Sequence, residues 1–320
     1  MTNLNQSPFL QQLTEAETIL IAGAGGGFDI YAGLPIILYL NSLGKQVIIA
    51  NYSFTWLEET SATEYFPHCY EIKGTDHDRS GRGYFPERLL KSWLTTKGMD
   101  LPVFAFPRVG AKPLTSAYDY LVKRFSVDTI VLVDGGTDAL MFGDEAGLGT
   151  PQEDACSVAA VTAQEVERAL LVCVGFGIDA YHGVSHYRYL ENVADCIRGG
   201  AFFGTWHLLQ EMPEATAYRE AVDYANDRMR GMESIVSNSI ISALVGESGD
   251  FHRTRRTAGS ELFINPLMTL YWCFEANYVA GRIGYLAALR STDTIGEVNG
   301  VIARYQLGLG ALRESRRLPG

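Results

Sequence analysis

Three short segments combine glycines with carboxylates in a pattern suited to a ligand cleft. They are Gly25-Gly-Gly-Phe-Asp29, Asp134-Gly-Gly-Thr-Asp138 and Gly175-Phe-Gly-Ile-Asp179, and each follows an apolar run. In the first, Gly23, Gly25, Gly26 and Gly27 could present backbone N–H groups to an anion, because no Cβ stands in the way. A helix that follows such a turn adds its positive N-terminal end. A phosphate or pyrophosphate is the natural guest. Asp29 repels a bare phosphate, so it would instead cap the helix, hold a ribose hydroxyl or ligate a metal ion. The alternative is a tight strand–helix turn with Asp29 as its cap.

The second turn opens an acidic stretch. Asp134, Asp138, Asp144, Glu145, Glu153, Asp154, Glu165 and Glu167 are eight acids between 134 and 167, with no Lys or Arg among them. Hard oxygen ligands suit Mg²⁺ or Mn²⁺, which would also neutralise a phosphate, and Asp134 and Asp138 are the candidate metal ligands. Gly135 and Gly136 would let the ligand approach. The bland alternative is a solvated acidic loop before an acidic helix start.

The third turn adds Gly177, Asp179, His182 and His186. In a helix the two histidines share one face, with Asp179 beside them. That face would bind a metal or hold a general base oriented by a carboxylate. Gly183 argues against a continuous helix there, and two hydrogen-bonded structural histidines are the competing reading. Asp134, Asp138, Asp179 and His182 are thus the candidate catalytic residues. Gly23, Gly25, Gly26, Gly27, Asp29, Gly135, Gly136 and Gly177 are the candidate ligand-binding residues.

Two later segments carry unabsorbed polar groups. Ser237-Asn-Ser239 and Ser242 lie on an otherwise apolar helix, and Arg253, Arg255 and Arg256 crowd one loop. Those arginines would clamp phosphates or pair with surplus carboxylates. Asn265 followed by Pro266 reads as a helix cap with Pro at the first position.

Elements must bring these residues together. Thr18–Ala22 reads as a buried strand, Asp29–Leu43 as a helix and Gln46–Ala50 as a second strand, a β-α-β crossover. Residues 51–85 read as an aromatic, irregular insertion. Pro86–Trp93 and Ser116–Phe125 read as helices, and Pro102–Phe106 as a strand. Asp128–Val133 is the clearest central strand, because its β-branched run suits burial on both faces. A helix near 151–161 and a strand at Ala169–Val174 follow. From 186 to 320 the pattern is mostly helical, with helices over Tyr187–Arg198, Thr216–Met229, Ser234–Val245 and Thr269–Leu289, one further strand at Leu262–Asn265 and a polar tail from Leu312. The expected fold class is α/β, a Rossmann-like, doubly wound, mainly parallel sheet with a helical C-terminal portion, in a single domain over 1–320. In such a sheet the strand ends share one edge, so the three turns should converge on one cleft.

Bulk properties limit the classes of function. The chain has 320 residues, is 47% hydrophobic and carries a net charge of -11. Its mean hydropathy is +0.01. Such an acidic chain is not expected to bind nucleic acid or a membrane surface. The five cysteines are widely spaced with no Cys-x-x-Cys, as expected of reduced, buried thiols in a cytoplasmic protein. Met1–Pro8 lacks the charge and apolar run of a signal peptide.

Taken whole, the chain resembles the family catalogued as domain of unknown function 1152. The resemblance is carried by residues 25–29, 134–145 and 264–269, and it implies no activity. Residues Gly25–Pro35 are also similar to the sirtuin cofactor loop, and Gly177–His182 to a second sirtuin run. That likeness implies NAD or a related nucleotide at 25–35, with Asp179 near the ribose. Asp29 replaces the sirtuin serine, Gly177 replaces its asparagine, and zinc-binding cysteine pairs are missing, so protein deacylation is not implied. The leading expectation is a hydrolase or group transferase acting on a nucleotide or phosphorylated metabolite at a metal-assisted carboxylate site. The alternatives are an NAD-type binder or N-glycosidic hydrolase without metal, and a non-catalytic nucleotide sensor. The oligomeric state is left open.

Overall fold

A computed structural model describes residues 7–318. Most of Met1–Pro8 and the last two residues of the tail lie outside the described residues. Nine strands form one sheet: β1 (Thr18–Gly23), β2 (Gln46–Tyr52), β3 (Thr63–Phe66), β4 (Cys69–Glu71), β5 (Val103–Phe106), β6 (Thr129–Asp134), β7 (Arg168–Cys173), β8 (Phe202–His207) and β9 (Leu270–Glu275). Their order is β3-β4-β5-β2-β1-β6-β7-β9-β8. The central run β5-β2-β1-β6-β7 is parallel throughout. The expected Rossmann-like α/β class is what the chain adopts.

Alternation along the strands explains the two-sided core. Leu20 and Ala22 of β1, with Ile130 and Leu132 of β6, face one apolar layer. Ile19 and Ile21, with Val131 and Val133, face the other. Strands apolar on both faces need helices on both sides. Helices Ala111–Phe125, Pro151–Val161, His186–Arg198 and Ile295–Gly308 cover the first face. Helices Pro8–Glu15, Leu34–Ser42, Pro86–Thr96, Pro213–Arg228 and Ile235–Leu244 cover the second.

Several local expectations need correction. The segment Asp29–Leu43 is two helices, Asp29–Ala32 and Leu34–Ser42, separated at Gly33. Pro35 supplies no N–H and crowds the carbonyl four residues back, so a continuous helix fails there. The 51–85 stretch is not wholly irregular, since β3 and β4 form a hairpin on the edge strand β5. The expected helix Thr269–Leu289 begins as β9, which pairs antiparallel with both β7 and β8. Trp272 and Phe274 face one apolar layer, and Tyr271 and Cys273 the other. The exposed edge of β7 favours this pairing over helix. Leu262–Asn265 contributes only a single bridge, Ile264 to Gly249. Asn265 does cap, accepting from Leu267 N–H at 3.1 Å, but it starts a 3-10 turn, Pro266–Thr269. All five cysteines are free and buried. Among the described residues no helix is long and apolar enough to cross a membrane.

Candidate functional site

The chain moves outward from β1 to β2 and β5, then crosses back to β6 on the other side of β1. The order therefore reverses between β1 and β6, and in open parallel sheets ligands lie at the carboxyl ends of such strands. Gly23 is paired with Val133, and Asp134 with Cys173, so β1, β6 and β7 end side by side. The three glycine-carboxylate turns leave the sheet together, as expected of turns that each follow a strand of one parallel sheet.

The first turn is not simply an open cradle. Ala24 N–H donates to the Val133 carbonyl at 2.9 Å, and Gly27 N–H to the Tyr52 carbonyl at 3.1 Å. Gly25 N–H donates to Asp29 Oδ2 at 2.6 Å. The amides of Gly26 and Phe28 find no acceptor among the described residues. Gly26 has a φ of +94°, and a Cβ there would stand 2.7 Å from the Tyr52 carbonyl oxygen. Only glycine makes this bend. Asp29 is the first residue of its short helix rather than its cap, since Phe28 holds the cap position. Its carboxylate turns inward.

Asp134, Asp138 and Asp179 are each pinned by one oxygen. Asp134 Oδ2 accepts from Ala139 N–H at 3.1 Å. Asp138 Oδ2 accepts from Thr150 N–H at 2.8 Å and Thr150 Oγ1 at 3.1 Å. Asp179 Oδ2 accepts from Thr137 N–H at 2.6 Å and Thr137 Oγ1 at 3.1 Å. Asp154, from helix Pro151–Val161, joins them from below. Among the described residues its buried Oδ1 has no hydrogen-bond partner. Asp29, Asp134 and Asp154 each bring an oxygen to within 4.8 Å of the others. Asp134, Asp138, Asp154 and Asp179 are buried, and Asp29 alone keeps some exposure.

Gly135 and Gly136 serve these carboxylates. A Cβ on Gly135 would lie 2.8 Å from Asp29 Oδ1, and one on Gly136 would lie 2.7 Å from Asp179 Oδ2 and 3.0 Å from Asp134 Oδ1. The glycines make room for acids to crowd, as well as for a ligand.

Crowding has an electrostatic consequence. Burial pushes Asp29 up to about 7, against the pull of the Gly25 and Gly135 amides and with the added repulsion of Asp138. Burial, then neighbouring carboxylates, hold Asp134 and Asp154 well above the usual range. Burial and Asp138 raise Asp179 against its Thr137 hydrogen bonds, and burial raises Asp138. Like charges this close cannot all ionise without a proton or a cation among them. Among the described residues none of these five forms a salt bridge.

Two adjoining cavities open over the cluster. One, of about 510 Å³, lies above the carboxylates and is bordered by Arg108, Thr150, Glu153 and His182. The other, of about 550 Å³, is walled by Phe28, Phe54, Tyr84, Ile178, Tyr181 and Val236, with Arg256 at one side. Asp29, Gly135, Asp179 and His182 border both. Gly25 and Gly26 line the acidic lobe, and Gly26 and Gly27 the apolar one.

Other expected residues fall elsewhere. Gly23 ends β1 packed against Asn51, and Gly177 adopts a φ of +98° beside His186; neither borders the cleft. Gly136 lies beneath Asp134 and Asp179 and does not border it either. His182 ends the 3-10 turn Ile178–His182, and left-handed Gly183 separates it from His186, which starts the next helix. The shared helical face therefore does not form. The His186 ring lies tilted against Phe176 with centroids 5.1 Å apart, its buried Nε2 has no partner among the described residues, and burial lowers its pKa. Arg253 pairs with Asp223 at 2.8 Å, whereas Arg256 reaches the cleft and donates to the Glu233 carbonyl.

Two site residues escaped the sequence reading. Arg108, just past β5, binds Glu153 through Nε at 3.1 Å and Nη2 at 2.7 Å. No motif marks it. Asp154 was only one acid among eight, although an acid heading the small, apolar run Ala155–Val161 is a legible sign of an inward carboxylate.

The family model described as "Protein of unknown function (DUF1152)" matches residues 86–307, and the chain belongs to that family. The matched span includes Asp134, Asp138, Asp154 and Asp179, and it begins after Asp29 and the first glycine turn. No curated protein matches the chain.

Proposed function

We propose that this DUF1152 member is a cytoplasmic, metal-assisted hydrolase or group transferase acting on a nucleotide or other phosphorylated small molecule. One observation carries the reading. Asp29, Asp134 and Asp154 converge within 4.8 Å at the sheet's switch point, with Asp154 Oδ1 buried and unpartnered. Hard oxygen donors in that arrangement suit Mg²⁺ or Mn²⁺. When bound, such an ion would neutralise phosphoryl oxygens and acidify a bound water.

The chain's own groups would do the rest. Asp179 borders both lobes and would accept the proton from the attacking water, and His182, exposed at the mouth, would carry it onward. Asp138, held by Thr150, would stand in reserve as a further ligand or base. The amides of Gly26 and Phe28, with Arg108 at the border of the acidic lobe, would take phosphoryl oxygens. The free, buried cysteines support a reducing compartment.

A thermal-shift screen of nucleotides and sugar phosphates with Mg²⁺, Mn²⁺ or EDTA tests the reading, followed by assays of phosphate release. A ligand at a hundredfold excess over its dissociation constant stabilises by about 2.7 kcal/mol. A shift and turnover that both need the divalent ion support the proposal. A second reading rests on the partial exposure of Asp29 and its pKa, raised by burial to about 7. As a metal-free general acid near a ribose, Asp29 would suit an NAD-type substrate and N-glycosidic hydrolysis. Turnover indifferent to EDTA selects this reading, and binding without turnover selects a nucleotide sensor.

A further inference from the structure

We infer that Phe54 and Tyr181 form the two sides of a slot for a planar heterocycle, so that the substrate is a nucleotide rather than a sugar or polyol phosphate. This deepens the proposed function and rests on it for the position of the phosphate end. Phe54 follows β2 and Tyr181 lies in the turn after β7, and both border the apolar lobe. Strands β1 and β6 lie between β2 and β7. At the usual strand spacing the two flanking strand ends stand about 14 Å apart, room for two inward-reaching rings with a third between them.

Both rings carry open surface. Phe54 is 40% exposed and Tyr181 is 77% exposed, large values for aromatic side chains that border one cavity. Scattered exposed aromatics are ordinary; two that border one cavity beside a carboxylate cluster are more specific. Phe54 is also held in place. It rests against the Gly26-Gly27 backbone, where an added Cβ would meet its ring at 3.1–3.2 Å, and Arg108 lies 5.4 Å from its centroid. A rigid ring gives stacking at small entropic cost.

Three hydroxyls of this lobe are engaged within the chain. Ser234 Oγ accepts from Ser237 N–H at 3.0 Å, Ser260 Oγ donates to the Thr257 carbonyl at 2.8 Å, and Thr257 Oγ1 contacts His252 Nδ1 at 2.8 Å. The rest of the lobe's wall is largely apolar, which favours a flat base over a polyol. A flat base asks mainly for faces, and stacking on an aromatic side chain is sequence-tolerant.

The test uses the full chain and four probes: Mn²⁺ alone, the common nucleosides, their 5′-monophosphates, and ribose 5-phosphate. Dissociation constants come from calorimetry with and without EDTA. At least one nucleoside is expected to bind without metal. Y181A and F54A should each weaken it about 10- to 100-fold, Y181W should retain it, and Mn²⁺ affinity should stay within about twofold in all three. Tyr181 is exposed enough that its replacement leaves folding intact, which circular dichroism would verify. Binding of ribose 5-phosphate but of no nucleoside or nucleotide overturns the slot, as does nucleoside affinity unaltered in both alanine variants. Nucleoside binding without any Mn²⁺ binding leaves the slot standing and removes the metal reading. Mn²⁺ binding without any nucleoside binding does the reverse.

Discussion

Arg313 Nη2 lies 2.6 Å from Glu145 Oε1, joining the C-terminal segment to the loop that follows Asp138. Glu145 is 1% exposed and also accepts from the amides of Phe142 and Gly143 and from Asn192. Arg313 binds Asp144 and Glu191 as well. R313A leaves a buried carboxylate without its cation and should destabilise the chain by on the order of 3 kcal/mol. Urea denaturation measures the loss. R313A should cost less in an E145Q background than in the unaltered chain, and an equal cost in both would show that the pair is not coupled.

The carboxylate cluster sets a pH dependence with a definite sign. Asp29, Asp134, Asp154 and Asp179 all have folded-state pKa values above the ordinary carboxylate range, Asp29 at about 7. Folded protein therefore holds more protons than unfolded protein between the ordinary range and about 7, so stability falls as pH rises through that window. In EDTA the melting midpoint should be higher near pH 5 than near pH 8. Protons compete with a cation for the same oxygens, so the Mn²⁺-induced shift should grow over the same interval. A Mn²⁺ shift that is flat with pH would speak against binding at these carboxylates.

Asp154 offers a test in which stability and binding move oppositely. Its Oδ1 has no partner to lose, and its charge repels Asp138, Asp134 and Asp29. D154N should raise the midpoint of metal-free protein at pH 8 by about 2 °C or more and remove the Mn²⁺ shift. A variant that is less stable without metal would mean that Asp154 holds the fold together.

Gly136 carries a steric prediction at the carboxylate cluster. G136A places a methyl against Asp179 and Asp134, which should cost about 1–3 kcal/mol and weaken Mn²⁺ binding. Gly281, within helix Ala276–Arg282, has open space around its Cβ position. G281A should instead stabilise by up to about 1 kcal/mol. Thermal denaturation of the two variants, side by side, separates crowding from helix propensity.

The convergence of Asp29, Asp134 and Asp179 was legible because a parallel sheet aligns the ends of its strands, and β6 announces itself through a β-branched run. Asp154 was not, since its approach depends on a helix packing beneath the turns. Arg108 comes from the end of β5, two strands away from the switch point, and spacing says nothing of that. The run Leu270–Phe274 is apolar at both helical and strand periods, so only the open edge of β7 decides its state. Helix Ile295–Gly308 is not among the elements expected from the sequence, although the capping box of Thr294 and Glu297 marks its start.

The position of β9 between β7 and β8 reaches beyond the finished structure to its assembly. On the ribosome β8 emerges long before the strand it must pair with, and β7 keeps a bare edge until residue 275 has been made. The half of the sheet beside β6 therefore completes only once residue 275 has emerged, through contacts distant in sequence, which form slowly. Nascent chains halted before β9 should fold the β5-β2-β1-β6-β7 region and leave β8 undocked, a state that pulsed proteolysis of stalled chains would reveal as cleavage near residues 202–207.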